Sequence, residues 1–374
     1  MNPAVVCSEP GRSCCDFPDV SHGRVPNLEF EIIDPVQSPE RWDNILVAHP
    51  DAHVFHSSAW ARVLTQTYNH RPRYVAAFDT DQPAAAIPVM EVKSRLTGAR
   101  GVSVPFSDFC PPLFFSNSIS AAAASFVLKL GRSRDWRALH LHGARDPGQV
   151  DVSENDAAFY SHVIDLTRNE GELLGRCEPS VRRAIRKAQK EGIRVEQSVS
   201  RTALLQFCGL HCHTRRRHGL PPQPRKFFES IFREFIARGE GHIFLAHKNN
   251  RTIAAALFLT FSNRALYKFA ASDLSYRRLR PNNLILWEAI RFYASRQSPT
   301  LHLGRTDLND QGLRRFKLGW GSTEALLRYD RFDFAKGRWF AEKPRTSGIH
   351  RFAFRHMPLV LNRIAGAMIY PHLD

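Results

Sequence analysis

Five basic side chains, Arg182, Arg183, Arg186, Lys187 and Lys190, crowd the run EPSVRRAIRKAQKEG and give one helix a strongly cationic face. Such a face holds phosphate through charge-assisted and partly bidentate hydrogen bonds, or else is simply solvated; Arg182, Arg183 and Lys187 are the candidates for binding. Arg215 and Arg217 precede the sharp loop HGLPPQP, where two guanidinium groups could clamp a pyrophosphate. Arg305 and Asp307 in LHLGRTD follow a strand and are expected either to line a cleft or to pair with each other. Asp108 sits in VPFSDFCPP, where flanking prolines limit its motion. A carboxylate so held suits general-base chemistry, and equally a turn or a cap. Cys208, His211, Cys212, His213 and His218 cluster at a spacing unlike the usual zinc motifs, so no metal is assigned. A nucleophilic Gly-x-Ser-x-Gly motif is absent.

These residues need elements to position them. In the basic run, Val181, Ala184, Ile185 and Ala188 recur at i, i+3, i+4 and i+7, which predicts a helix with Pro179 in its first turn and Gly192 at its cap. Further helices are predicted at 201–217, 225–238 and 282–295, with a short helical turn at 312–317. Between them run the strand-like segments HIFLAHK, TIAAALFLTF, ALYKFAAS, TLHLG and TEALLRYD. The first half alternates in a similar way, with LEFEII, helices near 41–49 and 57–68, RYVAAF and AAAIPVMEV, a Pro-rich loop at 104–112, a helix near 119–131, then RALHLHG and FYSHVIDL. This order specifies an α+β fold in two halves.

A chain of 374 residues exceeds what one core usually supports. The expected division is a disordered leader at 1–26, domains at 27–166 and 167–335, and a helical tail at 336–374. With 52 Lys and Arg against 36 Asp and Glu, the formal charge of +16 favours anionic partners. Seven cysteines without a regular framework indicate a reducing compartment. The N-terminus has neither a basic start nor an apolar run of signal length, and no window nears the length of a membrane span, so a cytoplasmic enzyme is expected. The tail RFAFRHMPLVLNRIAGAMIY mixes basic and apolar residues and is expected either to touch an anionic membrane face or to pack on the second half. Helix-turn-helix, RNP and zinc-finger signatures are absent, so DNA is not an expected partner.

The segments SVRRAIRKAQKEGI, RRRHGLPPQP, AASDLSYRRLRPNNLILWEAI, LHLGRTD and GLRRFKLGWG resemble, in order and spacing, the FemAB-like transferases, including their BioF2-like acetyltransferase branch. Weaker likeness extends through VFHSSAW and VPFSDFCPPL, so about residues 28–330 are covered. The resemblance implies two tandem GNAT-like domains with mixed sheets flanked by helices. It also implies transfer of an acyl or aminoacyl group to the amine of a small, lipid-linked or nucleotide-linked cell-envelope or exopolysaccharide precursor. The anionic donor it implies is acyl-CoA or an acyl carrier, or aminoacyl-tRNA, with no tightly bound cofactor. The family's Phe-Lys pair falls on Phe316 and Lys317, which the resemblance implicates in handling the reacting ends: Lys317 is either the cation that steadies developing negative charge or a phosphate or a cap on a short helix, and Phe316 either a wall of the acyl channel or a core residue. Two features depart from relatives. Residues 199–239 lack the heptads of a coiled-coil arm, and FKLGWG leads into a strand where the acyl-CoA loop of ordinary GNAT enzymes leads into a helix. The competing reading is a basic nucleic-acid-binding protein or an inactive membrane-associated scaffold.

Overall fold

The computed structural model describes residues 28–94, 97–116, 119–143, 157–341 and 348–373. The leader expected at 1–26 lies outside them. In chain order the first part holds β1 (Leu28–Ile33), α1 (Pro39–Val47), α2 (Ser58–Tyr68), β2 (Arg71–Pro72), β3 (Tyr74–Asp79), β4 (Gln82–Ile87), β5 (Met90–Ser94), β6 (Gly98–Val102), β7 (Leu113–Phe114), α3 (Ser120–Ser133), β8 (Ala138–His142) and β9 (Ala157–Asp165). Then come α4 (Glu170–Arg176), α5 (Pro179–Lys190), β10 (Arg194–Ser198), α6 (Arg201–Arg217), α7 (Arg225–Glu234), β11 (Gly241–Lys248), β12 (Arg251–Phe261) and β13 (Arg264–Ser272). The chain continues through α8 (Pro281–Ser295), β14 (Thr300–Asp307), α9 (Gln311–Leu318), β15 (Thr323–Asp333), β16 (Arg338–Ala341), α10 (Gly348–His356) and α11 (Leu359–Ile369).

Local chemistry explains the boundaries. Pro179 opens α5, whose Val181, Ile185 and Ala188 are buried while most of its cations face out. Ser200 caps α6 by accepting from the Ala203 N–H at 3.1 Å. Between β11 and β12, Asn249 and Asn250 take φ of 50° and 61°, the left-handed pair that a two-residue hairpin turn requires.

The strands form a four-stranded sheet, β1-β3-β4-β7, and a twelve-stranded one ordered β10-β11-β12-β13-β14-β9-β15-β8-β6-β5-β2, with β16 beside β15. Among the described residues each half has one parallel pair whose connection includes a helix: β6 and β8 across α3, β13 and β14 across α8. The expected border at 166 does not separate the sheets. β9, assigned to the first half, is bonded to β14 and β15 of the second, and β15 runs on to pair with β8. The tail is not wholly helical either, because Arg338–Ala341 folds back on Asp330–Asp333 as β16.

One core joins Phe55 and Trp60 of the first half to Phe207, Phe227 and Phe235 of the second. A buried ion pair spans the same seam: Arg62 Nε donates to Glu234 Oε2 at 2.7 Å and Gln66 Nε2 to Oε1 at 2.9 Å, with Glu234 only 4% exposed. Glu234→Gln keeps the shape and removes the charge. It is expected to cost about 1.5–3 kcal/mol, read as a lower urea midpoint with unchanged slope.

Candidate active site

The central feature is a split in the large sheet. β13 and β14 pair at Ala265 with Leu301 and at Leu266 with His302, and among the described residues no ladder joins them beyond these positions. A chamber of about 370 Å³ lies at the split, lined among others by Asp108, Lys268, Gly304, Arg305, Phe316 and Lys317. Lys317 reaches it from the last turn of α9, which Asp310 starts by accepting from the Leu313 N–H at 2.9 Å. Arg314 fixes the helix, donating through Nε and Nη2 to the two Glu324 oxygens at 2.9 and 2.6 Å. Lys317 is 4% exposed, and its Nζ donates to the carbonyls of Gly304 and Arg305, both at 2.9 Å. Burial pulls its pKa down to about 8 against the opposing attraction of Asp108 and Asp310. A neutral Nζ satisfies both carbonyls with its two N–H bonds and keeps a lone pair.

Asp108 faces a second buried amine. Lys268 Nζ lies 3.2 Å from Asp108 Oδ2, donates to Phe106 O at 2.8 Å, and sits 4.6 Å from the centre of the Phe55 ring. Burial pushes the Asp108 carboxyl up, but Lys268, Arg305, His302 and Lys317 outweigh it and hold the group below its ordinary value. Burial lowers Lys268, and Asp108 opposes that shift. Asp108 is therefore a firmly ionised counter-ion, and a poor acceptor of protons near neutrality. The Asp108 main chain is pinned as well: Arg305 Nη1 donates to the Tyr329 hydroxyl at 2.6 Å, and that hydroxyl donates to Asp108 O at 2.7 Å.

Next to the chamber is an open groove of about 630 Å³, lined by Arg183 and Lys187 of α5, Arg280 and Asn283 at the start of α8, and Arg315 and Phe316 of α9. Among the described residues, Glu178 is the one acidic side chain in its lining. Among the described residues no carboxylate pairs with Arg183, Lys187, Arg280 or Arg315, so the cationic field is unspent. Phe316 lines both spaces and is the wall they share.

The structure thus brings Asp108, Arg305, Phe316 and Lys317 to one chamber, with Arg183 and Lys187 in the adjoining groove. Arg182 is half-buried on α5 and lines neither space. Arg215 and Arg217, expected as a pyrophosphate clamp, line neither space: Arg215 donates to Pro221 O at 3.2 Å and the Tyr370 hydroxyl at 2.7 Å, and Arg217 to Ser272 O at 3.1 Å. Asp307 does not pair with Arg305; it accepts from the Asn309 N–H at 2.9 Å in a turn. Of the Cys/His cluster, His211 Nε2 meets Gln223 Oε1 at 2.8 Å among phenylalanine rings, and among the described residues no group suits a metal.

Sequence reasoning missed Lys268, Arg280, Asn283 and Arg315. Lys268 had a signal, a cation inside the otherwise apolar strand ALYKFAAS. Arg280 had one too, standing before Pro281 at the start of a helix. The glycines of FKLGWG lie at a different crossover, between α9 and β15.

Residues 176–318, spanning α5, the split strands and Lys317, match the family of acetyltransferase (GNAT) domains. The chain as a whole has an α+β fold of mixed sheets flanked by helices. The crystal structure of FemX superposes with a TM-score of 0.63 at 16% identity, over 80% of this chain and 95% of that one. The C-terminal domain of a putative lysylphosphatidylglycerol synthetase from Agrobacterium fabrum gives 0.52 at 11% identity, covering 80% and 92%. L-PGS from Bacillus licheniformis gives 0.50 at 10% identity, covering 89% and 97%. At these identities the likeness is one of fold. No curated protein matches the chain.

Proposed function

We propose that the chain transfers an acyl or aminoacyl group from a phosphate-bearing donor to a primary amine of a cell-envelope or exopolysaccharide precursor. The observation that carries this reading is the position of Phe316, shared between the cationic groove and the Lys317 chamber. Donor phosphates lie on Arg183, Lys187, Arg280 and Arg315, and the donor's reactive carbonyl passes Phe316 into the chamber. The amine nitrogen attacks the carbonyl carbon, the amine proton passes to neutral Lys317 Nζ, and the carbon–sulfur or carbon–oxygen bond to the carrier breaks as Lys317 returns that proton to the departing sulfur or oxygen. This reverses the roles expected from sequence, in which Asp108 was the base and Lys317 the cation.

The magnitudes favour a base of this kind. Deprotonating a lysine-type amine of pKa near 10.4 at neutral pH costs about 4.6 kcal/mol, whereas orientation of the reactants supplies about 7–11 kcal/mol. Positioning by the groove therefore dominates, and Lys317 handles the remaining proton. The donor is acyl-CoA or an acyl carrier in one form of the proposal and aminoacyl-tRNA in the other; both place phosphates beside an activated carbonyl. A lipid-linked acceptor also requires work at a membrane surface, one of the two contacts expected of the tail.

The test offers the full chain acetyl-CoA or a mixed aminoacyl-tRNA pool at low salt, with a panel of primary amines, and reads products by mass. One donor should acylate an amine and be displaced by salt. If neither donor binds, or binding leaves no N-acyl product with any amine, the proposal fails.

A further inference from the structure

The C-terminal helices are mounted with their small and polar side inward. On α11 the buried positions are Asn362 and Gly366, followed by buried Tyr370 just beyond the helix. A Cβ on Gly366 would lie 2.1 Å from Pro222 O, so the helix backbone rests directly against the loop that follows α6. Asn362 Nδ2 donates to Phe354 O at 2.9 Å, and the Tyr370 hydroxyl donates to Pro221 O at 3.1 Å. The Tyr370 bond and the close backbone approach fasten this side to the loop, and the Asn362 bond ties α11 to α10. The large apolar side chains are left outward: Val360 67% exposed, Leu361 53%, Ile364 52% and Met368 69%, with Phe352 on α10 at 70%. An ordinary surface helix has the opposite arrangement.

Charge narrows what can cover this face. Residues 348–373 contain no Asp or Glu, and Arg351, Arg355 and Arg363 are exposed among the apolar side chains. An apolar groove of about 630 Å³ between α6 and α11 continues the face, its lining including Leu205, Phe228, Val360 and Ile364, with Arg363 beside it. Among the described residues no helix is long and apolar enough to cross a membrane, so contact with lipid would be in the plane of the surface.

We propose that α10 and α11 dock the enzyme on an anionic phospholipid bilayer, with Phe352, Leu361, Ile364 and Met368 inserted among the acyl chains and the arginines on the headgroups. A protein partner would have to supply an apolar and acidic surface; a bilayer of anionic lipid supplies both. The surface lies outside the acyl-transfer site, so it stands or falls apart from the donor reading.

The test is co-sedimentation of the full chain with vesicles of phosphatidylcholine alone and of phosphatidylcholine mixed with phosphatidylglycerol, at low and high salt. Binding should need the anionic lipid and weaken with salt. The double variant Ile364→Glu, Met368→Glu should bind at least about tenfold more weakly, with unaltered thermal unfolding because both side chains project outward. Equal binding by variant and parent, or no binding to the mixed vesicles, overturns the proposal. So does a dimer of the parent that the double variant converts to monomer, since a second copy would then cover the face.

Discussion

Lys317→Met is expected to lower kcat by about 10²–10⁴, the range for loss of a positioned general base, while the chain still folds. Lys317→Arg separates a base from a fixed charge. Arginine keeps the cation and can donate to the Gly304 and Arg305 carbonyls, but it does not release a proton near neutrality. If Lys317 accepts the amine's proton, both variants are inactive; if it only stabilises negative charge, Lys317→Arg retains most of the rate. In the parent, kcat should rise with pH to a plateau above about 8, the pKa to which burial brings Lys317. That limb should stay in place when the acceptor amine is exchanged for one of different pKa, and should be missing from whatever residual rate Lys317→Arg retains. Stability follows the same shift. The unfolded chain holds the lysine proton up to its ordinary 10.5 and the folded chain only to about 8, so between these values the unfolded state binds more protons. The parent therefore gains stability relative to Lys317→Met as pH rises through that window.

The second large effect belongs to the groove. Arg183→Ala combined with Lys187→Ala is expected to raise KM for the anionic donor about 10- to 100-fold with kcat little changed, since the groove holds the donor equally in ground and transition states. The dependence of KM on salt should flatten as well, because fewer phosphate contacts remain to be screened. Both side chains are exposed on α5 and contribute nothing to its buried Val181, Ile185 and Ala188 face, so thermal unfolding should be unchanged. An unaltered KM at every salt concentration would make this a solvated face and remove it from the site.

Much of the fold was legible from side-chain periodicity. Helix α6 was expected at its observed bounds, and α5, α8 and α9 within a few residues; α5 combines an apolar stripe with a readable start at Pro179. Strand partnership was not legible in that way. Nothing in FYSHVIDL tells that β9 leaves the first half and enters between β14 and β15, since pairing depends on neighbours far along the chain.

The candidate site divided along the same line. Asp108 and Lys317 were found from a rigid loop and from a family motif, but their proton affinities depend on Lys268 and on the depth of burial, which no local pattern reveals. Arg215 and Arg217 had an equally suggestive context, yet their guanidinium groups are bonded to Pro221 O, the Tyr370 hydroxyl and Ser272 O. Arg280 was missed because its role follows from a left-handed backbone, φ 62°, at the N-terminus of α8.

The most direct test of a groove opening past Phe316 onto Lys317 is a crystal structure of the chain with an unreactive thioether or amide analogue of whichever donor supports turnover. The account predicts phosphates on Arg183, Lys187, Arg280 and Arg315, with the acyl carbon on the Lys317 side of the Phe316 ring. Phosphates bound on another face, or an acyl end directed away from Lys317, would contradict it.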